Sequence, residues 1–392
     1  MNNITKKRIY MDCAATTPVH PDVVQAMLPF FTENFGNPST VHSFGREAKS
    51  AMEEAREKLA NAIFAKPEEI VFTSGGTEAD NFAIKGVAYF DKNKGGHIIT
   101  SKIEHHAVLE TCHFLEKNGF TITYLPVDEY GTVNPEDVQK AITDKTILIS
   151  IMHANNEIGT IEPIAEIGKI ARKHNITFHS DAVQTLGSIP VNVDELNVDM
   201  LSFSAHKLYG PKGIGAIYIR KGTKMVSFLH GGEQERRRRA GTENVPYIVG
   251  FGKAVEIAIS ELVQKRENLT CLRDKLTNRI LTEIEQTKLN GHPTAKLPGH
   301  INVTIKHIEG ESMVLNLDME GIAASTGSAC SSGSLEASHV LTSIGVAPED
   351  ARSSLRLTLG RQTTEDNINK VADILKKVIT RLRAISPLYK KR

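Results

Sequence analysis

The sequence has few cysteines, little net charge and no long apolar run. Its 392 residues include four cysteines, Cys13, Cys112, Cys271 and Cys330, which lack the paired spacing of a structural zinc site. Such scattered cysteines do not indicate a disulfide framework, and we expect a cytoplasmic protein. No apolar segment is long enough to span a bilayer, and residues 1–8 lack the apolar core of a signal peptide.

The formal net charge of +1 provides no global field that would favour nucleic acid or a membrane as partner. One basic run stands out, Arg236–Arg239, which fits a solvated loop, an anion site or a subunit contact. A hydrophobic content of 40% and a charged content of 24% are typical of a globular protein. The length predicts roughly two to three domains.

Short apolar segments alternate with amphipathic segments between residues 44 and 219. The predicted strands are Glu69–Thr73, His97–Thr100, Thr121–Leu125, Thr146–Met152, Ile176–His179, Met200–Ser204 and Ala216–Ile219. The predicted helices between them are Gly45–Ala62, Glu78–Ala88, Ala107–Asn118 and Ile164–His174. This alternation predicts an α/β domain with a mostly parallel sheet.

A second unit is predicted in the C-terminal part. A long helical segment, Val245–Gln286, leads into it with a break near Ser260. The segments Ile301–Ile305, Ser312–Glu320 and Ser354–Leu359 indicate an α+β domain. The stretch before Asp12 is expected to pack with this second unit.

The most informative segment is residues 202–207, where Lys207 follows an apolar run that predicts a buried strand. A lysine at the mouth of a sheet can form a Schiff base with an aldehyde cofactor. Asp181 ends another predicted strand, and a carboxylate there can pair with a pyridinium nitrogen. Lysine and carboxylate together are the minimum requirement for pyridoxal phosphate (PLP) chemistry. Lys207 alone fits a surface lysine better.

Residues 74–77 join a predicted strand to a predicted helix. The glycines Gly75 and Gly76 allow close approach of a ligand, the free N–H groups at a helix start bind phosphate, and Thr77 adds a hydroxyl. This junction is common and is a weak signal by itself. Glu78 and Asp80 are explained as first-turn acids favoured by the helix dipole.

Five polar residues lie just past predicted strands: Thr77, His105, Asn156, Asp181 and Lys207. In open α/β sheets, ligands bind at the carboxyl ends of the strands. We therefore expect one crevice to hold all five side chains.

Residues 323–334 consist almost entirely of glycine, serine and alanine around Cys330. Cysteine is usually buried as a small hydrophobic residue, but Cys330 has no large apolar neighbours in sequence. A loop of small residues suits a thiol that must move between two places. Cys112 and Cys271, by contrast, fit helix positions with a structural role.

These motifs resemble, in the same order, the PLP-dependent cysteine desulfurases of the nitrogen-fixation type, within the class V aminotransferase-like enzymes. The matching segments are residues 12–18, 35–39, 74–81, 104–105, 154–159, 179–184, 204–207, 239–244, 327–330 and 385–387. The resemblance implies PLP fold type I, with a large PLP-binding domain of residues 16–262 on a mostly parallel seven-stranded sheet. Residues 1–15 and 263–392 would form a smaller α+β domain that carries the Cys330 loop.

The resemblance implies a role for each matching residue. Lys207 would bind PLP as a Schiff base, Asp181 would keep the pyridinium nitrogen protonated, and His105 would stack on the ring and take part in proton transfer. The other implied contacts are Asn156 and Gln184 to the phenolic oxygen; Gly76, Thr77, Ser204, His206 and the other subunit's Thr242 to the phosphate; and Asn37 and Arg356 to the substrate carboxylate. Arginine suits the last task because its guanidinium binds carboxylates in a bidentate fork.

The implied reaction converts L-cysteine to L-alanine and leaves sulfur on Cys330 as a persulfide, for delivery to an Fe–S scaffold or another sulfur acceptor. Lys207 would remove the Cα proton, and the Cys330 thiolate would attack the substrate sulfur. The implied working unit is a homodimer with composite sites. No resident metal is implied, although Cys330 could transiently ligate an Fe–S cluster.

Two alternatives stay open. A selenocysteine lyase or another class V PLP enzyme would use the same scaffold, although a plain aminotransferase has no use for Cys330. A catalytically silent scaffold protein is an alternative of a different class, which the joint presence of Lys207, Asp181, His105 and Cys330 argues against.

Overall fold

The computed structural model describes residues 8–90, 96–326, 337–387 and 389. The strands in these ranges are β1 Ile9–Tyr10, β2 Ile70–Thr73, β3 His97–Ser101, β4 Thr121–Leu125, β5 Thr146–Ser150, β6 Thr177–Asp181, β7 Met200–Ser204, β8 Gly215–Ile219, β9 Thr287–Leu289, β10 His300–Ile305, β11 Ile322–Ala323 and β12 Ser354–Thr358. No helix in the described part of the chain is long and apolar enough to cross a membrane.

The helices are α1 Pro21–Met27, α2 Pro29–Thr32, α3 Ser43–Ala62, α4 Gly76–Phe90, α5 His106–Lys117, α6 Pro135–Ala141, α7 Ile164–Lys173, α8 Gln234–Arg237, α9 Val245–Ser260, α10 Leu262–Glu283, α11 Gly310–Met319, α12 His339–Ser343, α13 Pro348–Ala351 and α14 Glu365–Ile385. The predicted break near Ser260 is confirmed, because α9 ends at this residue and α10 begins two residues later.

Seven strands form the central sheet in the order β2-β8-β7-β6-β5-β3-β4. Strand β8 is antiparallel to both of its neighbours, and the other pairings are parallel. The predicted mostly parallel seven-stranded sheet is therefore confirmed. The one antiparallel strand follows the turn after Lys207, where a short connection leads the chain straight back along β7.

Helices cover both faces of this sheet, which explains its continuous apolar strands. Because side chains alternate along a strand, Ile98 packs with α4 and α5 on one face, whereas Ile99 packs with α3, α7 and α9 on the other. Met200 and Leu201 of β7 divide in the same way. Both faces of the sheet are therefore buried.

The C-terminal part has its own apolar core around an antiparallel sheet of order β12-β10-β9. Helices α10, α11 and α14 pack on this sheet. The N-terminal strand β1 pairs in parallel with β11, and Asp12 bridges to Thr358 of β12. The expectation that the stretch before Asp12 joins the second unit is confirmed, whereas the domain limits 16–262 and 263–392 stay predictions.

Candidate active site

A cavity of about 290 Å³ opens at the carboxyl ends of the parallel strands. It gathers polar residues from five separate segments of the large sheet and one from β12. The predicted site residues that line it are Gly76, Thr77, His105, Asn156, Asp181, Gln184, Ser204, His206, Lys207 and Arg356. The sequence thus predicted most of the lining, because strand ends of a parallel sheet share one edge.

Lys207 lies in a single helical turn, Ala205–Lys207, directly after β7. Its Nζ donates hydrogen bonds to the carbonyl oxygens of Ala14 and, at 3.0 Å, Ala15. Both alanines line the cavity but were not among the predicted site residues. The N-terminal segment therefore holds the lysine at the cavity edge.

Asp181 is the last residue of β6, and its Oδ1 accepts a 2.9 Å hydrogen bond from the N–H of Val183. Burial raises the pKa of Asp181 to about 6, against the opposing effects of the Val183 N–H and the Lys207 charge. A cation bound in the cavity would favour the ionised carboxylate further.

A second carboxyl group, Asp80, also lines the cavity. The expectation of an ordinary first-turn acid is wrong for Asp80, because the residue is 1% exposed and faces the sheet. Burial and the neighbouring Asp181 raise the pKa of Asp80 well above its usual range. Its Oδ1 lies 3.6 Å from Nε2 of His179 and has no hydrogen-bond partner among the described residues. Two adjacent buried carboxylates repel each other, so Asp80 carries the proton when Asp181 is ionised.

His105 caps the N-terminus of α5, and its Nδ1 accepts a 3.1 Å hydrogen bond from the N–H of Ala107. This bond places the ring proton on Nε2 in the neutral imidazole. Burial lowers the pKa of His105 to about 4, and the charges of Lys207, His106 and His339 act in the same direction. His105 is therefore a neutral ring at pH 7.

The start of α4 forms one end of the cavity. A Cβ at Gly76 would lie 2.7 Å from Cγ2 of Val183, so a side chain there would force the wall to shift. The first N–H groups of a helix have no intrahelical acceptor and suit an anion. Thr77 and Ser204 add hydroxyl groups, and His206 contacts Oγ1 of Thr16 through Nδ1 at 3.1 Å.

Arg356 of β12 forms the opposite end and is 2% exposed. Its Nη2 donates to Oδ1 of Asp12 at 2.9 Å, and its Nη1 donates to the carbonyl of Asn156 at 3.1 Å. Its buried Nε has no partner among the described residues. The side chain is thus oriented firmly at this end of the cavity. Near it, Gln184 donates from Nε2 to the Ala14 carbonyl at 3.2 Å.

Three predicted site residues do not line the cavity as described. Asn37 is exposed, and its Oδ1 accepts from the N–H of Ser39 at 2.9 Å. Thr242 is exposed in the segment that precedes α9. Cys330 lies outside the described residues.

The basic run Arg236–Arg239 is largely neutralised by carboxylates. Arg239 pairs with Glu78 at 2.8 Å, Arg237 with Glu233 at 2.7 Å, and Arg236 with Glu53 at 3.3 Å. Arg236 and Arg237 are exposed, as the predicted solvated loop requires, while the anion site and the subunit contact stay predictions.

The other cysteines differ in exposure. Both Cys112 and Cys271 lie in helices, as predicted; Cys112 is buried in α5, whereas Cys271 is exposed on α10. Burial raises the pKa of the Cys13 thiol to about 11, which keeps this thiol protonated.

The lining residues fit PLP. Glycine, hydroxyl groups and a helix N-terminus at one end suit a phosphate, a buried carboxylate suits a pyridinium nitrogen, and a lysine suits an aldehyde. Gly76 leaves the space that the phosphate end requires.

The chain matches the model of the class V aminotransferase family over residues 9–371. It belongs to this family of PLP-dependent enzymes. The cysteine desulfurase IscS of Dictyoglomus turgidum (strain DSM 6724 / Z-1310) is 60% identical over 382 residues, which cover 97% of this chain and 97% of the relative.

Solved structures are similar over almost the whole chain. A NifS-like protein has a TM-score of 0.90 at 40% identity, covering 96% of this chain and all of that protein. A structure of SspA in complex with cysteine has a TM-score of 0.80 at 41% identity, covering 90% of this chain and 98% of SspA.

Proposed function

We propose that this protein is a PLP-dependent cysteine desulfurase that converts L-cysteine to L-alanine and transfers the sulfur to Cys330 as a persulfide. The observation that carries the proposal is the single cavity in which Lys207, Asp181, His105 and Arg356 meet. Its similarity to IscS over 97% of the chain, and to SspA in complex with cysteine, supports cysteine as the substrate.

The cofactor would be held from both ends. Gly76, Thr77, Ser204 and His206 would bind the phosphate together with the first N–H groups of α4. Asp181 would pair with the pyridinium nitrogen. Asn156 and Gln184, which both line the cavity, would contact the phenolic oxygen. When bound, PLP supplies an electron sink for charge that develops on the substrate Cα.

Arg356 orients the substrate by its carboxylate. Its contacts with Asp12 and the Asn156 carbonyl fix the plane of the guanidinium. A guanidinium can bind a carboxylate in a bidentate fork. Asn37 is a proposed second contact to the same carboxylate.

Lys207 accepts the Cα proton at Nζ. Burial and its neighbours keep His105 neutral, so its Nε2–H can donate a hydrogen bond into the cavity without adding charge. Asp181 would supply the negative charge that a pyridinium nitrogen needs, while the protonated Asp80 adds no second charge beside it.

Cys330 performs the sulfur transfer. Its thiolate forms an S–S bond with the substrate sulfur while the substrate C–S bond breaks and the bonding pair stays on carbon. That carbon takes up a proton and leaves as L-alanine, so carbon is reduced and sulfur is oxidised to the persulfide level. The persulfide is then passed to an Fe–S scaffold or another acceptor protein, in a cytoplasmic setting.

The working unit is a homodimer in which Thr242 reaches the partner's phosphate. Two observations support this arrangement: Thr242 is exposed, and the segment before it is anchored to its own subunit. Glu235 forms a buried bidentate pair with Arg56 at 2.8 Å, and Arg239 pairs with Glu78. A two-fold axis makes such an exchange reciprocal.

The test is turnover of L-cysteine by the purified protein with PLP. Alanine and persulfide should form, and Lys207→Ala should lose both products and the visible absorbance of the bound cofactor. Lys212→Ala, an exposed lysine five residues on, is the matched control and should keep both. Alanine formation by Lys207→Ala would disprove the assignment of the site.

A further inference from the structure

A second cavity, of about 40 Å³, adjoins the proposed active site and is called the small cavity below. Ala14, Gln184 and Lys207 line both this cavity and the large one, so the lysine lies at the boundary between them. Lys265 of α10 and His300 of β10 line the small cavity alone. The small cavity therefore extends from Lys207 towards the second apolar core, and the proposed reaction gives it no role so far.

His300 supplies a buried polar atom to the small cavity. The residue is 8% exposed, and its Nε2 has no hydrogen-bond partner among the residues that the structure describes. Burial lowers the pKa of His300 to about 3, and the charges of Arg356, Lys207 and Arg273 act in the same direction. The ring is therefore neutral at pH 7, with one nitrogen as donor and the other as acceptor. Buried polar groups in proteins almost always have a partner, so this nitrogen indicates a ligand that can form hydrogen bonds.

The size and the lining of the small cavity suit water. A site needs roughly 10–15 Å³ to hold one water molecule, so a volume of 40 Å³ is enough for more than one. A buried water also needs two to four polar partners, on the order of three. Beside His300, the side chains of Gln184, Ser188 and Lys207 offer such partners. An apolar molecule of the same size would leave these groups unpaired.

The small cavity also reaches the protein surface. Cys13, Ser188 and Lys265 line it and are each partly exposed, whereas His300 is buried. Water can therefore enter from the solvent without passing through the large cavity. In the proposed function, PLP and the substrate would occupy the large cavity, and an occupied site excludes water. The small cavity would then be the solvent route that still leads to Lys207.

Lys207 is the group on which this water would act. In the proposed reaction its Nζ takes the Cα proton and becomes an ammonium group with three protons. One of these protons can pass to a neighbouring water while a water proton returns to Nζ, so the charge and the number of protons stay the same. The proton that Lys207 returns to Cα would then come from the solvent.

We propose that the small cavity is a water site in which His300 orders water beside Lys207, and that Lys207 exchanges its protons with the solvent through this site. The inference rests on the proposed desulfurase activity, because it concerns the proton that Lys207 takes from the substrate. His300 would contact water and not the reacting atoms, so it is a positioning residue.

The test is the origin of the hydrogen at Cα of the alanine formed. Holoenzyme equilibrated in D₂O is mixed with less than one equivalent of L-cysteine and no sulfur acceptor, so each site turns over at most once. The deuterium at Cα is then measured by mass spectrometry, and the wild type should give almost only deuterium there. His300→Phe fills the small cavity with an apolar ring. About one third of its alanine should keep the substrate hydrogen, because that hydrogen is one of three on the ammonium group.

Two variants serve as controls. His300→Gln keeps a polar side chain in the small cavity and should restore the deuterium content of the wild type. His153→Phe is the matched control, because His153 is also buried with an unpartnered ring nitrogen in the described part of the chain but does not line the small cavity. It should label alanine as the wild type does.

Cys13→Leu narrows the small cavity from a different segment and tests the inference if His300→Phe does not bind PLP. It should also raise the share of alanine that keeps the substrate hydrogen. The Kd for PLP, measured by absorbance, should stay within twofold of the wild type in each variant that is compared.

Almost complete deuteration by both His300→Phe and Cys13→Leu would overturn the inference, because solvent would then reach Lys207 through the large cavity. Retention of the substrate hydrogen by the wild type, or equal retention by His153→Phe, would overturn it as well. Wild-type holoenzyme that forms no alanine from L-cysteine would instead refute the proposed function.

Discussion

An ion pair between Arg239 and Glu78 connects two parts of the chain. One is the segment that leads to Thr242, and the other is the helix that begins at the phosphate end of the cavity. Nε of Arg239 lies 2.8 Å from Oε1 of Glu78, and Oε2 of Glu78 accepts a 2.8 Å bond from the N–H of Ser74. Arginine and the Ser74 N–H together lower the pKa of Glu78, although burial alone would raise it. The ion pair therefore compensates the charge of the Glu78 carboxylate, which lies beside the proposed phosphate site.

Removal of Arg239 should weaken PLP binding. Arg239→Ala leaves the Glu78 charge uncompensated near the bound phosphate, and we expect the Kd for PLP to rise about five- to tenfold. The measurement is PLP titration of the cofactor-free protein. Arg237→Ala, which removes an exposed ion pair with Glu233, is the control and should leave the Kd within twofold. Equal effects of the two substitutions would contradict the role of Arg239.

Cys330→Ser should stop sulfur transfer without disturbing the cofactor. Serine cannot accept sulfur in this step, so L-cysteine should still change the cofactor absorbance while persulfide and alanine are lost. Persulfide labelling and alanine analysis provide the measurement. Cys271→Ser is the control, because Cys271 is also a free thiol and is exposed. Loss of transfer in the control would show that Cys330 is not the acceptor.

A mixed dimer tests the composite site. One subunit carries Lys207→Ala and the other carries Thr242→Ala. If Thr242 serves the partner's cofactor, one site carries both substitutions and the other carries neither, so about half of the wild-type activity should remain. If Thr242 serves its own subunit, each site carries one substitution, and activity should fall to the level of the two single-variant dimers.

The buried histidines should make stability depend on pH below neutrality. Burial lowers the pKa of His153 from 6.5 to about 4, and its Nδ1 has no partner among the described residues. Because His153 binds a proton more readily in the unfolded chain, its lowered pKa favours the folded state at pH values above 6.5. This contribution to the unfolding free energy is lost as the pH falls from 6.5 through 4. The difference in unfolding free energy between the wild type and His153→Gln should therefore shrink by about 3 kcal/mol from pH 7 to pH 4. Urea unfolding at several pH values measures this difference in unfolding free energy. A difference that stays constant with pH would refute the lowered pKa of His153.

The large sheet was predictable because its strands are apolar on both faces and are separated by amphipathic helices. All seven predicted strands exist, although Thr146–Met152 ends at Ser150 and Ile176–His179 extends to Asp181. The extension follows from ladder pairing between Asp181 and Ser202, which no local pattern encodes. Strand β9, with the sequence Thr-Lys-Leu, has too few apolar residues to be recognised and forms through pairing with β10.

Most of the site was predictable from position at strand ends, together with the resemblance. Asp80 was not, because its sequence position suits an ordinary first-turn acid and only the packing of α4 on the sheet buries it. His300 and Lys207 line the same small cavity, yet neither residue type signals in the sequence that they meet there. Side chains whose role depends on tertiary contact are thus the part that sequence patterns leave out.

Arg356 comes from β12, whereas Lys207 and Asp181 come from the large sheet. In the proposed function, two separately cored halves of the chain therefore divide the work: one would hold the coenzyme, and the other would hold the carboxylate of the substrate. Substitutions on β12 can then change substrate affinity while the coenzyme pocket keeps its packing. A laboratory selection for tighter or weaker amino-acid binding should consequently accumulate its changes on β12 and around Asp12, and spare the strand ends of the large sheet.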